Sequence, residues 1–388
     1  MWQIFLRFLS LGLVSFGGPA AHIGYFRQTF VKELGWLDDK RFAGLVALSQ
    51  FMPGPGSSQL GFAIGYYRGG LNGALAAFAG FTLPSFILLY LLAVTSAQWL
   101  DNGYFNGVIH GLKLLAVVVV FDAVLGMFGQ FCRRKLTQGL MLASAVTMLL
   151  LPAMGAQLLL LCLGAIAGAV WLNGRQAGAA ATSAPPAIRL NLVWLGLFGA
   201  LLLASFYWLS QGSGLTLVFA QFYQVGSLVF GGGHVVLPLL ETHVAQAMSG
   251  DRFLTGYALA QAVPGPMFTL ATFLGAELWL EQPLLGALVA TGAIFLPGFL
   301  LMLVGLDSWH FIAARPRIAA AIAGVNACVV GLLLAALYRP VFSSGVVSPQ
   351  DMALVLVGFG CLKLFRPHIV LLVAGFAGAG ILASVLAG

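Results

Sequence analysis

A polytopic all-α membrane protein, built from two homologous six-span halves, is the fold this sequence predicts. Three observations carry the prediction. The 388 residues are 60% hydrophobic and only 7% charged, with a mean hydropathy of +0.99, whereas a soluble domain carries roughly 25% charged residues. Apolar runs of about 20 residues, the length of a membrane-spanning helix, recur from one end to the other. The motif R-F-x4-A-L-x-Q-x2-P-G-P appears twice, starting at Arg41 and again at Arg252. The net charge of +7 comes from Lys and Arg scattered in ones to threes at segment ends. Topology determinants are distributed that way, and a nucleic-acid surface is not.

The first apolar run, 3–18, reads as a span ending in the cluster Phe16-Gly17-Gly18-Pro19. Arg7 ahead of an apolar stretch also fits a signal peptide. Cleavage after Ala20 or Ala21 would remove that cluster, so the run is read as part of the fold. Residues 20–40 mix Phe26, Phe30 and Trp36 with Arg27, Lys32, Glu33, Asp38 and Asp39, a composition suited to an amphipathic helix at the interface. Segment 41–67 is broken at Pro53-Gly54-Pro55, because proline rings lack the amide donor and clash with the preceding turn. Spans follow at 71–98, 104–128, 138–152 and 155–173. Residues 174–191 then turn polar and small, with Pro185-Pro186, the one linker-like stretch.

These features divide the chain into a repeat over 1–173, a linker with a connecting span (192–210) over 174–214, and a second repeat over 215–388. The second repeat keeps the order: 215–230 ending in Phe230-Gly231-Gly232-Gly233-His234, a broken segment 253–280, then 284–306, 318–338, 350–365 and 368–386. Gly73 matches Gly286, Pro84 matches Pro297, Phe86 matches Phe299 and Gly111 matches Gly324, all at one offset. Duplication accounts for such agreement. If each broken segment crosses the membrane once, the connecting span makes thirteen crossings and the halves are inverted. If each break is a re-entrant hairpin, this parse makes the halves parallel. The lone span between the repeats favours inversion, since parallel halves need no adaptor.

FGGP followed by His22-Ile23, then Trp36-Leu37-Asp38, then A-L-x-Q-x2-P-G-P, with FGGG, Leu237-Pro238-Leu239-Leu240-Glu241 and a second Q-x2-P-G-P, resembles the chromate ion transporter family in its long, two-domain form. The resemblance runs over nearly the whole chain. It implies a secondary transporter of the bacterial inner membrane that extrudes chromate, is driven by membrane potential or a proton gradient, and confers chromate resistance. It also implies thirteen spans with antiparallel halves, and sulfate as the competing tetrahedral dianion.

A dianion near the bilayer centre needs donors and positive potential, and a duplicated break in apolar sequence points to a transporter's central site. Gly56-Ser57-Ser58 after the first break, and Thr269 after Pro264-Gly265-Pro266, start half-helices whose free N–H groups can face an anion. Gly17, Gly18, Gly231, Gly232 and Gly233 let backbone approach a ligand closely. Gln50 and Gln261 add amides that serve either the ligand or the carbonyls freed by proline. Lys113, a cation inside a span, is a candidate counter-charge, with pairing to a carboxylate as the alternative. Asp122, nine residues on, faces the other way and is not its partner. Arg41 and Arg252 stand at the entrances to the broken segments, as anion funnels or interfacial anchors. His22 and His234 follow the glycine clusters, as gate groups or as satisfied polar residues.

Other functions find little footing. There is no HExxH, GxSxG or cysteine-metal spacing, and Asp38-Asp39 is the only adjacent acidic pair, so neither an intramembrane enzyme nor a cofactor is indicated. The four cysteines are far apart and read as unpaired. Import or exchange of sulfate by the same fold stays open, as does a passive channel. The Gly-rich span 368–386 could support a homodimer.

Overall fold

The computed structural model describes residues 1–96, 99, 103–172, 191–230, 233–244, 247–313 and 316–387. Gly231, Gly232 and all of residues 174–190 in the linker lie outside the described residues. The described chain is helical. Six helices are long and apolar enough to cross a membrane by length and composition, and shorter apolar helices accompany them.

Helix α1 (Trp2–Val14) stops short of a full span. Gly17 and Gly18 take φ of 98° and 74°, a region open to glycine but strained for other residues. The chain reverses there into α2 (Gly18–Phe26), which continues as a π-helical segment, Arg27–Glu33. Phe8 of α1 stacks on Phe30 at 4.7 Å and meets Phe26 edge-on at 5.5 Å. The helix ends at Val14, four residues before the end of the apolar run 3–18, and forms one arm of a hairpin. Much of 20–40 is its return arm, with His22, Phe26 and Phe30 buried on one side and Arg27, Lys32 and Glu33 exposed on the other.

Helix α3 (Asp39–Phe51) starts at Asp38, whose carboxylate accepts from the Arg41 amide at 2.7 Å, an N-cap that satisfies a free donor. Gly54 in the break has φ 123°. The next helix, Gly56–Ser96, is divided at Gly69-Gly70 into α4 (56–68) and α5 (71–96). Arg41 meets the Tyr67 hydroxyl, with its guanidinium 4.6 Å from that ring. The start of α3 therefore lies beside the end of α4, and the broken segment folds back on itself. A Cβ on Gly65 would sit 2.4 Å from the Gly73 carbonyl oxygen, so α4 and α5 are antiparallel and in backbone contact. Helices α6 (Gly103–Phe131), α7 (Lys135–Leu150) and α8 (Met154–Trp171) complete the repeat.

The connecting helix α9 (Leu192–Gln211) buries only Ser205 and rests on the second repeat. That repeat follows the same plan. Helix α10 (Leu215–Leu228) is the first arm, and α11 (Val236–Val244) follows a short turn at Gly233–Val235. Helix α12 (Gly250–Ala262) leads to the break, with Gly265 at φ 110°. After the turn Met267–Thr269, α13 (Leu270–Leu278) returns, so that Arg252 Nε lies 3.0 Å from Glu277. Helices α14 (Pro283–Ala313), α15 (Pro316–Ala336), α16 (Pro349–Leu364) and α17 (Ile369–Ala387) follow. Their ends fall close to the spans read from sequence.

The repeats interlock reciprocally. The Gly54 amide donates to the Val229 carbonyl at 2.7 Å, and the Gly265 amide donates to that of Ser15 at 2.9 Å. Each break is thus tied to the end of the other repeat's first arm. Helix α17 packs on α6 as α8 packs on α15. A Cβ on Gly111 would lie 2.0 Å from the Phe376 carbonyl oxygen, and one on Gly324 2.0 Å from that of Gly164. Small residues let helices approach this closely where lipid removes the hydrophobic driving force. Gly380 of the Gly-rich last span is spent on this contact, against Gly107 of α6.

Candidate functional site

The first break and the first glycine cluster meet at a cavity of about 830 Å³, and the second break lines a smaller chamber beside it. Gly17, Gln50, Gly54, Gly56, Gly233 and His234 line its deep part, and Gln130, Arg366 and His368 line it where α6 and the α16–α17 connection end. The smaller chamber, of about 90 Å³, shares Phe16, Gly17, Val119, His234 and Ile369 with it. Ser15, Gly18, Gln261, Gly265 and Met267, with the apolar Ala260 and Val263, form the rest of the chamber wall. Residues more than 200 apart in sequence are brought together because each break is bonded to the opposite repeat.

Other candidates serve the frame of the site. The Ser57 hydroxyl lies 3.2 Å from His22 Nδ1, and His22 Nε2 lies 3.3 Å from the Ser15 carbonyl oxygen. His22 is buried edge-on against Phe81, so it braces the first turn and is not at an entrance. The Ser58 hydroxyl is buried without a protein partner. The Thr269 hydroxyl donates to the Pro266 carbonyl at 2.6 Å, filling an acceptor at the second break. Pro55 packs against Gly298, and the Pro53 carbonyl accepts from Gln59 Nε2 at 2.8 Å. Pro264 is half-buried beside Gly265.

The three cations singled out from the sequence line neither cavity. Lys113 Nζ donates to Asp251 Oδ1 at 2.6 Å, joining α6 to the start of α12. Arg252 pairs with Glu277 and also donates to the Ala93 carbonyl at 3.3 Å, a contact between repeats. Arg41 lies on Tyr67 at the exposed end of its hairpin. Asp39, at the start of the same helix α3, has its carboxyl held below the usual range by hydrogen bonds from Arg27 and then Lys32. Asp122, which lines the wide cavity, pairs with Lys363.

Sequence reasoning missed Ser15 and Gln59. Gln59 is fully buried and donates both to Pro53 and, at 3.0 Å, to the Gly298 carbonyl, stitching the first break to α14. Its signal was a lone amide on the apolar face of a half-helix. Ser15 carried none beyond standing next to the glycine cluster. The four cysteines are free, and among the described residues no cluster of His, Cys, Asp or Glu could hold a metal ion. What the arrangement offers chemically is backbone N–H, hydroxyl and amide donors around a small space.

The profile described as chromate transporter matches residues 2–170 and 216–381, both repeats without the linker and connecting helix. The chain belongs to the chromate transporter family. Relatives agree with that placement. A chromate transport protein of Pseudomonas aeruginosa is 31% identical over 85% of this chain and 79% of its own length. One from Cupriavidus metallidurans is 26% identical over 98% and 92%. An uncharacterized transporter of Methanocaldococcus jannaschii is 28% identical over 78% and 74%. No solved structure matches the chain. Between its two parts the chromate transporter family match leaves out residues 171–215, which include α9.

Proposed function

We propose that this protein is a secondary transporter that carries chromate out across the bacterial inner membrane through a site between inverted repeats. The observation that carries the reading is that the two breaks lie on adjoining cavities, Gly54 on the wide one and Gly265 on the small one, with Gly17 and His234 lining both. Membrane potential or a proton gradient drives the step, and chromate resistance is its physiological outcome. Sulfate, of the same shape and charge, competes for the site.

The hairpins support inversion by a route the sequence parse did not contain. Because α1–α2 and α3–α4 each turn back at half depth, only α5, α6, α7 and α8 cross fully within the first repeat. The connecting helix adds one more crossing, an odd interval, so the second repeat enters from the opposite face. This replaces the thirteen-crossing count. Among the described residues, every Lys and Arg except Lys113, Arg252 and Arg339 then falls toward the face carrying Arg133-Arg134-Lys135. By the positive-inside rule that face is cytoplasmic. The wide cavity reaches Gln130 and Arg366 on that side, as a conformation loading an anion from the cytoplasm would.

Uptake of labelled chromate into inverted membrane vesicles tests the reading. Accumulation that collapses with an ionophore is expected. Absence of protein-dependent accumulation, or accumulation insensitive to the ionophore, contradicts coupled export.

A further inference from the structure

We infer that the anion is held in the small chamber beside Gly265, with the Ser15 hydroxyl and the Gln261 amide as fixed donors. The inference rests on the transport reading above and deepens it by assigning the subsite. The chamber's 90 Å³ suits one tetrahedral oxyanion stripped of its hydration shell, whereas the 830 Å³ cavity would leave it largely in water.

Ser15 Oγ is buried without a protein partner, and Gln261 Nε2 is buried with the Tyr257 hydroxyl as its one neighbour and falls short of a well-formed bond. Ser15 has no exposure at all. Buried unpaired donors destabilise a fold, and a folded protein that keeps one calls for an explanation. An anion accepting from both supplies it. Gly18 begins α2, whose first amides have no helical acceptor and form the positive end of its dipole. A Cβ on Gly18 would meet nothing within 4 Å, so the space before that backbone is open. His234 shares Nδ1 with the Tyr257 hydroxyl at 3.0 Å, which leaves Nε2 to a ligand. No carboxylate stands among the described lining residues to repel a dianion.

The matching corner of the other repeat lacks these features. Val229 takes the place of Ser15, accepting the Gly54 amide as Ser15 accepts that of Gly265. Gln50, the counterpart of Gln261, is exposed to the wide cavity. Duplication built two corners, and one has kept the donors of an enclosed site.

The test is direct binding of chromate and of sulfate to the purified full chain in lipid nanodiscs, by calorimetry and thermal melting. Ser15→Ala and Gln261→Leu are each expected to weaken affinity roughly tenfold or more, the worth of a hydrogen bond to a charged group. Without anion, Ser15→Ala should melt no lower than wild type, because its hydroxyl has no protein partner, yet the anion-induced rise in melting temperature should shrink. Unchanged affinity in both variants, with binding lost in Gln50→Leu, places the anion in the wide cavity and overturns the inference. A lower anion-free melting temperature in Ser15→Ala with unchanged affinity makes the hydroxyl structural and also overturns it. Wild-type protein that binds neither anion refutes the transport reading itself, and the subsite falls with it.

Discussion

Replacing Gly54 with alanine places a methyl group where the two repeats touch. The residue sits at φ 123°, a region whose occupation by a side-chain-bearing residue costs about 1–3 kcal/mol. The added Cβ would lie 2.8 Å from the Gly298 Cα and 2.9 Å from Gln59 Nε2. Neither neighbour yields freely: the first is backbone, and the second is held by two carbonyls. Overpacking of this kind adds about 1–3 kcal/mol, so the whole penalty is about 2–6 kcal/mol if the two terms are independent. Gly24→Ala is the control, since that helical residue has nothing within 4 Å of its would-be Cβ and gains about 0.5–1 kcal/mol of helix propensity. Thermal melting in detergent and vesicle uptake of chromate read the outcome. Gly54→Ala should melt well below wild type and lose uptake, while Gly24→Ala keeps both. Wild-type melting and uptake in Gly54→Ala would refute the claim that the break interlocks the repeats through a glycine-only turn.

Three further outcomes follow from the packing. Asp251→Asn should destabilise more than Lys113→Met, by about 3 against about 1 kcal/mol, because the lysine is buried and its partner mostly exposed; equal or reversed melting shifts would contradict the pairing. Gln59→Leu leaves the Pro53 and Gly298 carbonyls unpaired, at about 1–3 kcal/mol each, and should lower the melting temperature where Gln28→Leu, on the exposed side of the π-helical segment, does not. Gly111→Val should prevent recovery of folded protein, since even a Cβ meets the Phe376 carbonyl at 2.0 Å, whereas Gly139→Ala, with nothing near it, should purify normally.

Much of this architecture was legible in the sequence because the membrane simplifies the code. Long apolar runs and the duplicated motif located the later helices of each repeat to within a few residues. The breaks were legible for a covalent reason, the missing proline donors. The end of the first helix was overrun because the apolar length 3–18 includes the glycine cluster, whereas the helix stops at Val14. Hydropathy does not register that Gly17 and Gly18 reverse the chain. The amphipathic character of 20–40 was legible, since Arg27 and Lys32 are exposed while Phe26 and Phe30 are buried, but the packing of that segment against the first helix was not. Of the candidate site, Gly17, Gly18, Gln261 and Gly265 were found because repetition flagged them. Ser15 was not, because its counterpart is Val229 and a search for repeated features passes over what one copy alone retains. Lys113 drew attention as a lone buried cation, but its carboxylate is 138 residues away, beyond any local pattern.

The opposed hairpins are the centre of the account, and side-specific labelling tests them most directly. On a background with Cys132, Cys162, Cys328 and Cys361 replaced, Lys40→Cys marks the mouth of α3–α4 and Glu281→Cys that of α12–α13, both exposed. A membrane-impermeant thiol reagent applied to intact spheroplasts should label position 281 and spare position 40, with the reverse in inverted vesicles. Labelling of both positions from the same side would make the repeats parallel and contradict convergence from opposite faces.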